Sequence, residues 1–88
     1  MNREQQCIDT LRAIIKHPDS TSLELSQRSG EDRHLLARRL PDLEESHLVK
    51  RLSKKRPCRA SKTAHVSFVW TPTWTGIKYI ERLDKQAA

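Results

Sequence analysis

The chain has 88 residues, of which 35% are hydrophobic and 32% are charged, and its formal net charge is +6. So short a chain buries enough apolar surface for one modest core, and we expect a single domain over residues 1–88. No run approaches the roughly 18 consecutive apolar residues of a membrane span, and the start of the chain lacks the pattern of a secretion signal, so we expect a cytoplasmic protein. The positive net charge favours a polyanionic partner, either a nucleic acid or an anionic membrane surface.

Two amphipathic helices are expected in the first third of the chain. Hydrophobic residues recur every three or four positions through residues 8–15, and Asn2 precedes them as a candidate N-cap. Either Thr21 or Ser22 can cap a second, short helix, and Gly30 supplies the left-handed conformation that ends it. The first helix is longer than the second, and a turn connects them.

A third helix begins after the candidate cap Asp32. Its leucines Leu36, Leu40 and Leu43 recur at helical spacing and define a buried stripe. Pro41 lies inside this pattern and removes one backbone hydrogen bond, so we expect either a bend or a break at which Pro41 starts a new helix. Four nitrogen-bearing side chains lie on the opposite or flanking surface of this helix: Arg33, His34, Arg38 and Arg39.

A two-stranded hairpin is expected next. Residues 48–52 alternate in character, and residues 65–70 are rich in β-branched and aromatic types, so these two segments are the predicted strands. The stretch that contains the loop between them, residues 53–65, holds almost all of the net positive charge because it has five basic residues and no acidic one. These five residues are Lys54, Lys55, Arg56, Arg59 and Lys62.

A last helix is expected after the hairpin. Thr73 is its candidate N-cap, and apolar residues at helical spacing within residues 77–83 form an inward stripe. Trp70 and Trp74 are both expected to pack around the exit of the hairpin. The predicted architecture is mainly α with a small β-hairpin.

The order helix, helix, turn, helix, hairpin, helix is that of a winged helix-turn-helix. Residues 21–51, TSLELSQRSGEDRHLLARRLPDLEESHLVKR, resemble the core of the prokaryotic and phage winged helix-turn-helix regulators, with two capped helices, a turn glycine and a closing L-E-E-x-x-L-V-x-R. Residues 73–76, TWTG, are similar to the T-x-x-G that opens the helix after the wing in many such proteins. The resemblance implies three helices, a β-hairpin wing and a C-terminal helix.

The resemblance also implies a bacterial or phage transcriptional regulator that binds double-stranded DNA in the cytoplasm, associated with the nucleoid. The third helix would enter the major groove with Arg33, His34 and Arg38 near base edges, and either Arg39 or the capped start of the second helix would lie near phosphates. The basic residues of the wing would neutralise phosphates or reach into a minor groove. A homodimer partner or another regulatory protein is compatible with this role, and no membrane partner is expected.

Two other functions remain open. A winged helix can act as a protein-interaction module in a replication or recombination complex, with Leu35 as an apolar contact, and RNA binding is a third hypothesis. We do not expect the protein to be an enzyme. No sequence motif places a nucleophile beside a base, and no glycine-rich phosphate loop is present. The cysteine and histidine residues lack the paired short spacing of structural zinc sites, so we expect neither a metal nor another cofactor.

Overall fold

A computed structural model describes residues 2–57 and 66–87. Within them, four helices and four short strands follow one another in the order α1, α2, α3, β1, β2, β3, β4, α4. The helices are α1 Arg3–Lys16, α2 Ser22–Ser29, α3 Arg33–Glu45 and α4 Trp74–Ala87. The strands are β1 Val49–Arg51, β2 Arg56–Pro57, β3 Val66–Ser67 and β4 Trp70–Pro72. Strands β1 to β4, with residues 52–55 and 68–69 between them, form the hairpin.

The predicted caps of the first two helices are confirmed. Asn2 caps α1, because its side-chain oxygen accepts a hydrogen bond from the backbone N–H of Gln5 at 2.8 Å. Thr21 rather than its neighbour caps α2, and Thr21 and Glu24 form a reciprocal capping box. Gly30 ends α2 with a φ of 79°, in the left-handed region that favours glycine.

Asp32 caps α3 and links its stability to pH. Its carboxylate accepts hydrogen bonds from the backbone N–H groups of Leu35 at 3.1 Å and His34 at 2.7 Å, and these bonds lower the pKa of Asp32. Since the pKa is lower in the folded state, the charged cap stabilises the fold above the ordinary carboxyl pKa, and this contribution is lost as pH falls through the lowered pKa.

We therefore expect Asp32→Ala to reduce the free energy of unfolding at pH 7 by an amount that shrinks as the pH approaches about 2.5. Asp32→Asn is the matched control, because asparagine caps helices as well as aspartate but does not titrate. Urea unfolding of the three proteins at both pH values checks this. An equal deficit for Asp32→Ala at both pH values would contradict it.

Helix α3 is continuous through Pro41, so of the two expected outcomes, a bend or a break, the break is wrong. The predicted stripe of Leu36, Leu40 and Leu43 is confirmed, because all three side chains are buried. Pro41 has no N–H to donate to the carbonyl of Ala37, and both residues lie on the exposed surface of the helix. Water can hydrogen-bond to that carbonyl, so the helix loses one internal bond without leaving a buried polar group unsatisfied.

The hairpin is interrupted in the middle. Strand β1 pairs antiparallel with β4, and β2 pairs antiparallel with β3. Between the two pairs, residues 52–55 on one arm face only residues 68–69 on the other, and the N–H of Leu52 donates to the carbonyl of Val69 at 2.8 Å. The predicted strand over residues 65–70 is therefore interrupted at residues 68–69, because the two extra residues on the opposite arm break the ladder, and its first residue lies outside the described residues.

One hydrophobic core joins all four helices to the hairpin. Trp70 is 7% exposed within it, as predicted for packing at the exit of the hairpin. The same prediction for Trp74 is wrong, since this side chain is 74% exposed. Trp74 is the first residue of α4 and lies on its outer surface, where the ammonium group of Lys78 is 5.6 Å from the ring centroid.

Candidate nucleic-acid interface

Three of the four predicted residues of α3 share its exposed surface. Arg33, His34 and Arg38 are all exposed, and none of their side chains has an ion-pair partner among residues 2–57 and 66–87. Leu35 is half-buried at the edge of this surface. The helical spacing that buries the leucine stripe is what turns these three side chains towards solvent.

Arg39 occupies a different environment. Its Nη1 donates to Oδ2 of Asp42 at 2.6 Å, and Oδ1 of Asp42 lies 3.0 Å from Arg3 of α1. The Arg39 side chain is only 15% exposed. Arg39 therefore borders the same depression as His34 and Arg38, but its side chain is half-buried and paired with Asp42.

The five basic residues predicted to act in the wing fall into three groups. Lys54 and Lys55 are exposed between β1 and β2, and Arg56 is half-buried at the start of β2. Arg59 and Lys62 lie outside the described residues.

Arg56 anchors the hairpin to α2. Its Nη1 and Nη2 donate to the two carboxylate oxygens of Glu24 at 2.6 and 2.5 Å, and Nη2 also donates to the backbone carbonyl of Asp19 at 2.8 Å. Glu24 is 3% exposed, so its charge is compensated inside the fold. Sequence reasoning predicts a phosphate contact at Arg56 and misses its partner, which lies 32 residues away along the chain.

A groove of about 440 Å³ separates α3 from the hairpin. Helix α3 contributes Ala37, Pro41 and Glu44 to its walls, and the hairpin contributes Arg51 and Phe68 among others. The basic residues that line this groove are Arg51 and Lys55, whereas His34 and Arg38 line a separate depression on the other side of α3.

Arg51 lies in this groove, and sequence reasoning misses it as a site residue. Its Nε donates to Oε2 of Glu44 at 2.9 Å. The central carbon of its guanidinium is 4.7 Å from the ring centroid of Phe68 and 5.6 Å from that of Trp70. The ammonium of Lys55 is 4.3 Å from the Phe68 centroid, so the two cations share one aromatic ring. The signal in the sequence is the final arginine of the L-E-E-x-x-L-V-x-R pattern.

Among the described residues, no group of three or more histidine, cysteine, aspartate or glutamate side chains could hold a metal ion. None of the helices in this part of the chain has the length and apolar character that crossing a bilayer requires.

A scan against protein-family models finds no match, and neither does a search of curated proteins. Solved structures do match. A MarR family transcription regulator superposes with a TM-score of 0.68 at 20% identity, over 93% of this chain and 51% of that one. Staphylococcus aureus MarR, solved with salicylate and kanamycin, gives a TM-score of 0.64 at 25% identity over 99% of this chain and 53% of its own. Streptococcus pneumoniae FabT, solved with DNA, gives 0.61 at 22% identity over 98% and 53%.

The fold is a winged helix. The architecture predicted from the sequence is thus confirmed: a mainly α chain with three helices, a β-hairpin and a C-terminal helix. In this winged helix, α2 and α3 are the helix-turn-helix, and the hairpin is the wing. The chain spans about half the length of the solved structures that it matches.

Proposed function

We propose that this winged helix is a single DNA-binding domain that acts in transcription regulation. The observation that carries the proposal is the set of exposed basic side chains on two neighbouring elements, α3 and the hairpin. Arg33, His34 and Arg38 are exposed on α3, Lys54 and Lys55 are exposed on the hairpin, and Lys55 lines the groove between the two elements. One protein of the same fold, FabT, has been solved with DNA.

Helix α3 is the element proposed to read base edges in the major groove. Arg33 and Arg38 can each donate a bidentate pair of hydrogen bonds to a guanine, and His34 can donate to or accept from a base edge. Lys54 and Lys55 supply phosphate contacts that raise affinity without selecting sequence.

The other predicted DNA contacts divide into two groups. Arg39 and Arg56 each form an ion pair with a carboxylate of the protein, so we assign them to positioning α3 and the hairpin rather than to direct phosphate contact. Arg59 and Lys62 remain predicted contacts of the wing.

A salt-dependent titration with random-sequence duplex DNA tests the proposal. We expect micromolar binding at low salt, and we expect Lys54→Ala/Lys55→Ala to reduce the slope of log K against log salt by about 1.8, because each phosphate that is no longer neutralised lowers it by about 0.9. The matched control is Arg82→Ala/Lys85→Ala, which removes the same charge from exposed positions on α4. Equal slope changes in the two double variants would contradict the assigned surface.

The same titration separates the alternatives. A wild-type protein that binds no duplex at low salt would favour the protein-interaction module, in which Leu35→Ala impairs function and Arg38→Ala does not. Tighter binding to double-stranded RNA than to DNA of the same length would favour the RNA-binding hypothesis.

A further inference from the structure

The guanidinium of Arg51 contacts a carboxylate and two aromatic rings, and its Nη groups are free to bind a ligand. Glu44 accepts from its Nε, and the rings of Phe68 and Trp70 lie against it. Arginine has five N–H donors in a planar fork, and the four on Nη1 and Nη2 of Arg51 have no partner in the described parts of the chain. The side chain is 42% exposed, so these donors can reach a ligand. Because its neighbours already fix its orientation, Arg51 loses less rotamer freedom on binding than an unsupported arginine.

The groove around Arg51 has the chemical character of a site for a sugar-phosphate strand. Among its described lining residues, Arg51 and Lys55 carry two positive charges and Glu44 carries one negative charge. The net single positive charge matches the single negative charge of a phosphodiester. Ala37 and Phe68 supply apolar walls, which suit a deoxyribose better than the donors and acceptors of a base edge.

We infer that the groove between α3 and the hairpin binds one backbone phosphate of duplex DNA, with the Nη groups of Arg51 donating to a phosphate oxygen. Glu44 is a positioning residue that holds the guanidinium from the opposite side. The inference rests on the proposed function and adds to it a binding residue and the path of one strand, which passes between α3 and the hairpin.

Arg51→Met tests this phosphate site, because methionine keeps much of the apolar packing against Phe68 while removing the charge. We expect the dissociation constant for random-sequence duplex at low salt to rise about tenfold, and the salt slope to fall by about 0.9. Lys50→Met is the matched control, since Lys50 is the preceding residue on β1 and alternation places it on the opposite face of the strand. We expect it to leave the slope unchanged.

Three further variants separate binding from folding. Arg51→Lys keeps a charge and should retain most of the salt slope, even though it loses the planar fork. Glu44→Gln keeps an acceptor for Arg51 but removes a negative charge from the groove, so it should tighten binding severalfold. Glu45→Gln makes the same change at the next residue of α3, outside the groove lining, and should have less effect.

The duplex titrations distinguish a wrong phosphate site from a wrong proposed function. A wild-type protein that does not bind duplex overturns both. If the wild-type protein binds duplex, either of two results overturns only the phosphate site. One is a wild-type salt slope for Arg51→Met, and the other is a reduction of the slope for Lys50→Met that equals the reduction for Arg51→Met. If Arg51→Met does not fold, the Glu44→Gln and Glu45→Gln pair decides: equal affinities overturn the site.

Discussion

Arg56→Ala is expected to lower the free energy of unfolding by about 3 kcal/mol, because it removes the guanidinium that hydrogen-bonds to the buried carboxylate of Glu24. Glu24 would lose both charge-assisted hydrogen bonds from the guanidinium while its carboxylate stays inside the fold. The bond from Arg56 to the carbonyl of Asp19 would disappear with them. Urea unfolding of the variant and the wild-type protein measures the difference.

Two controls show whether the pair or the positive charge matters. Lys54→Ala removes an exposed cation from the same arm of the hairpin, and we expect its effect to stay within about 0.5 kcal/mol. Arg56→Lys keeps the charge but cannot donate in a bidentate manner, so its stability should fall between the other two. Equal stabilities for Arg56→Ala and Lys54→Ala would show that Arg56 does not anchor the hairpin to α2.

Gly76→Ala is expected to destabilise the fold by about 3 kcal/mol or more, since it forces an atom into a site with no room. A Cβ at Gly76 would lie 2.1 Å from the backbone carbonyl oxygen of Leu48. Backbone cannot move aside as a flexible side chain can, so α4 would have to shift. That shift would strain the hydrogen bond from the N–H of Thr73 to the same carbonyl, which is 3.1 Å long.

Gly30→Ala provides the comparison for this prediction. No atom lies within 4 Å of a Cβ built at Gly30, and its φ of +79° is the source of strain there. Its expected cost is about 1 kcal/mol, the penalty of the left-handed conformation for alanine. Thermal unfolding of both variants checks the order, and a Gly76→Ala protein as stable as Gly30→Ala would contradict the close approach.

The helices could be predicted from the sequence because their signals are local. Asn2, Thr21 and Asp32 each bond to backbone N–H groups two or three residues ahead, and Gly30 ends α2 through its own conformation. The buried stripe of α3 repeats every three or four residues. The same periodicity turns Arg38 outwards, so the exposed surface of the candidate site follows from the pattern alone.

The pairings across the fold could not be predicted in this way. The number and order of charged residues do not predict that Arg56 pairs with Glu24, or that Arg51 rather than Lys50 lies in the groove. Both contacts depend on how the hairpin packs against the helices. The interruption of the hairpin depends on the register between its two arms. Strand propensity describes single residues and does not predict that register. The exposure of Trp74 escapes prediction for a related reason, since hydrophobicity does not say which side of α4 contacts the core.

The central claim is that duplex DNA binds where α3 and the hairpin border one groove. Its most direct test is an amide chemical-shift titration of the isotope-labelled protein with a random-sequence duplex. We expect the largest shifts at residues 33–38 of α3 and residues 51–55 of the hairpin, with small shifts at residues 80–86 of α4. Shifts confined to α1 and α4, or no shifts at low salt, would contradict the claim.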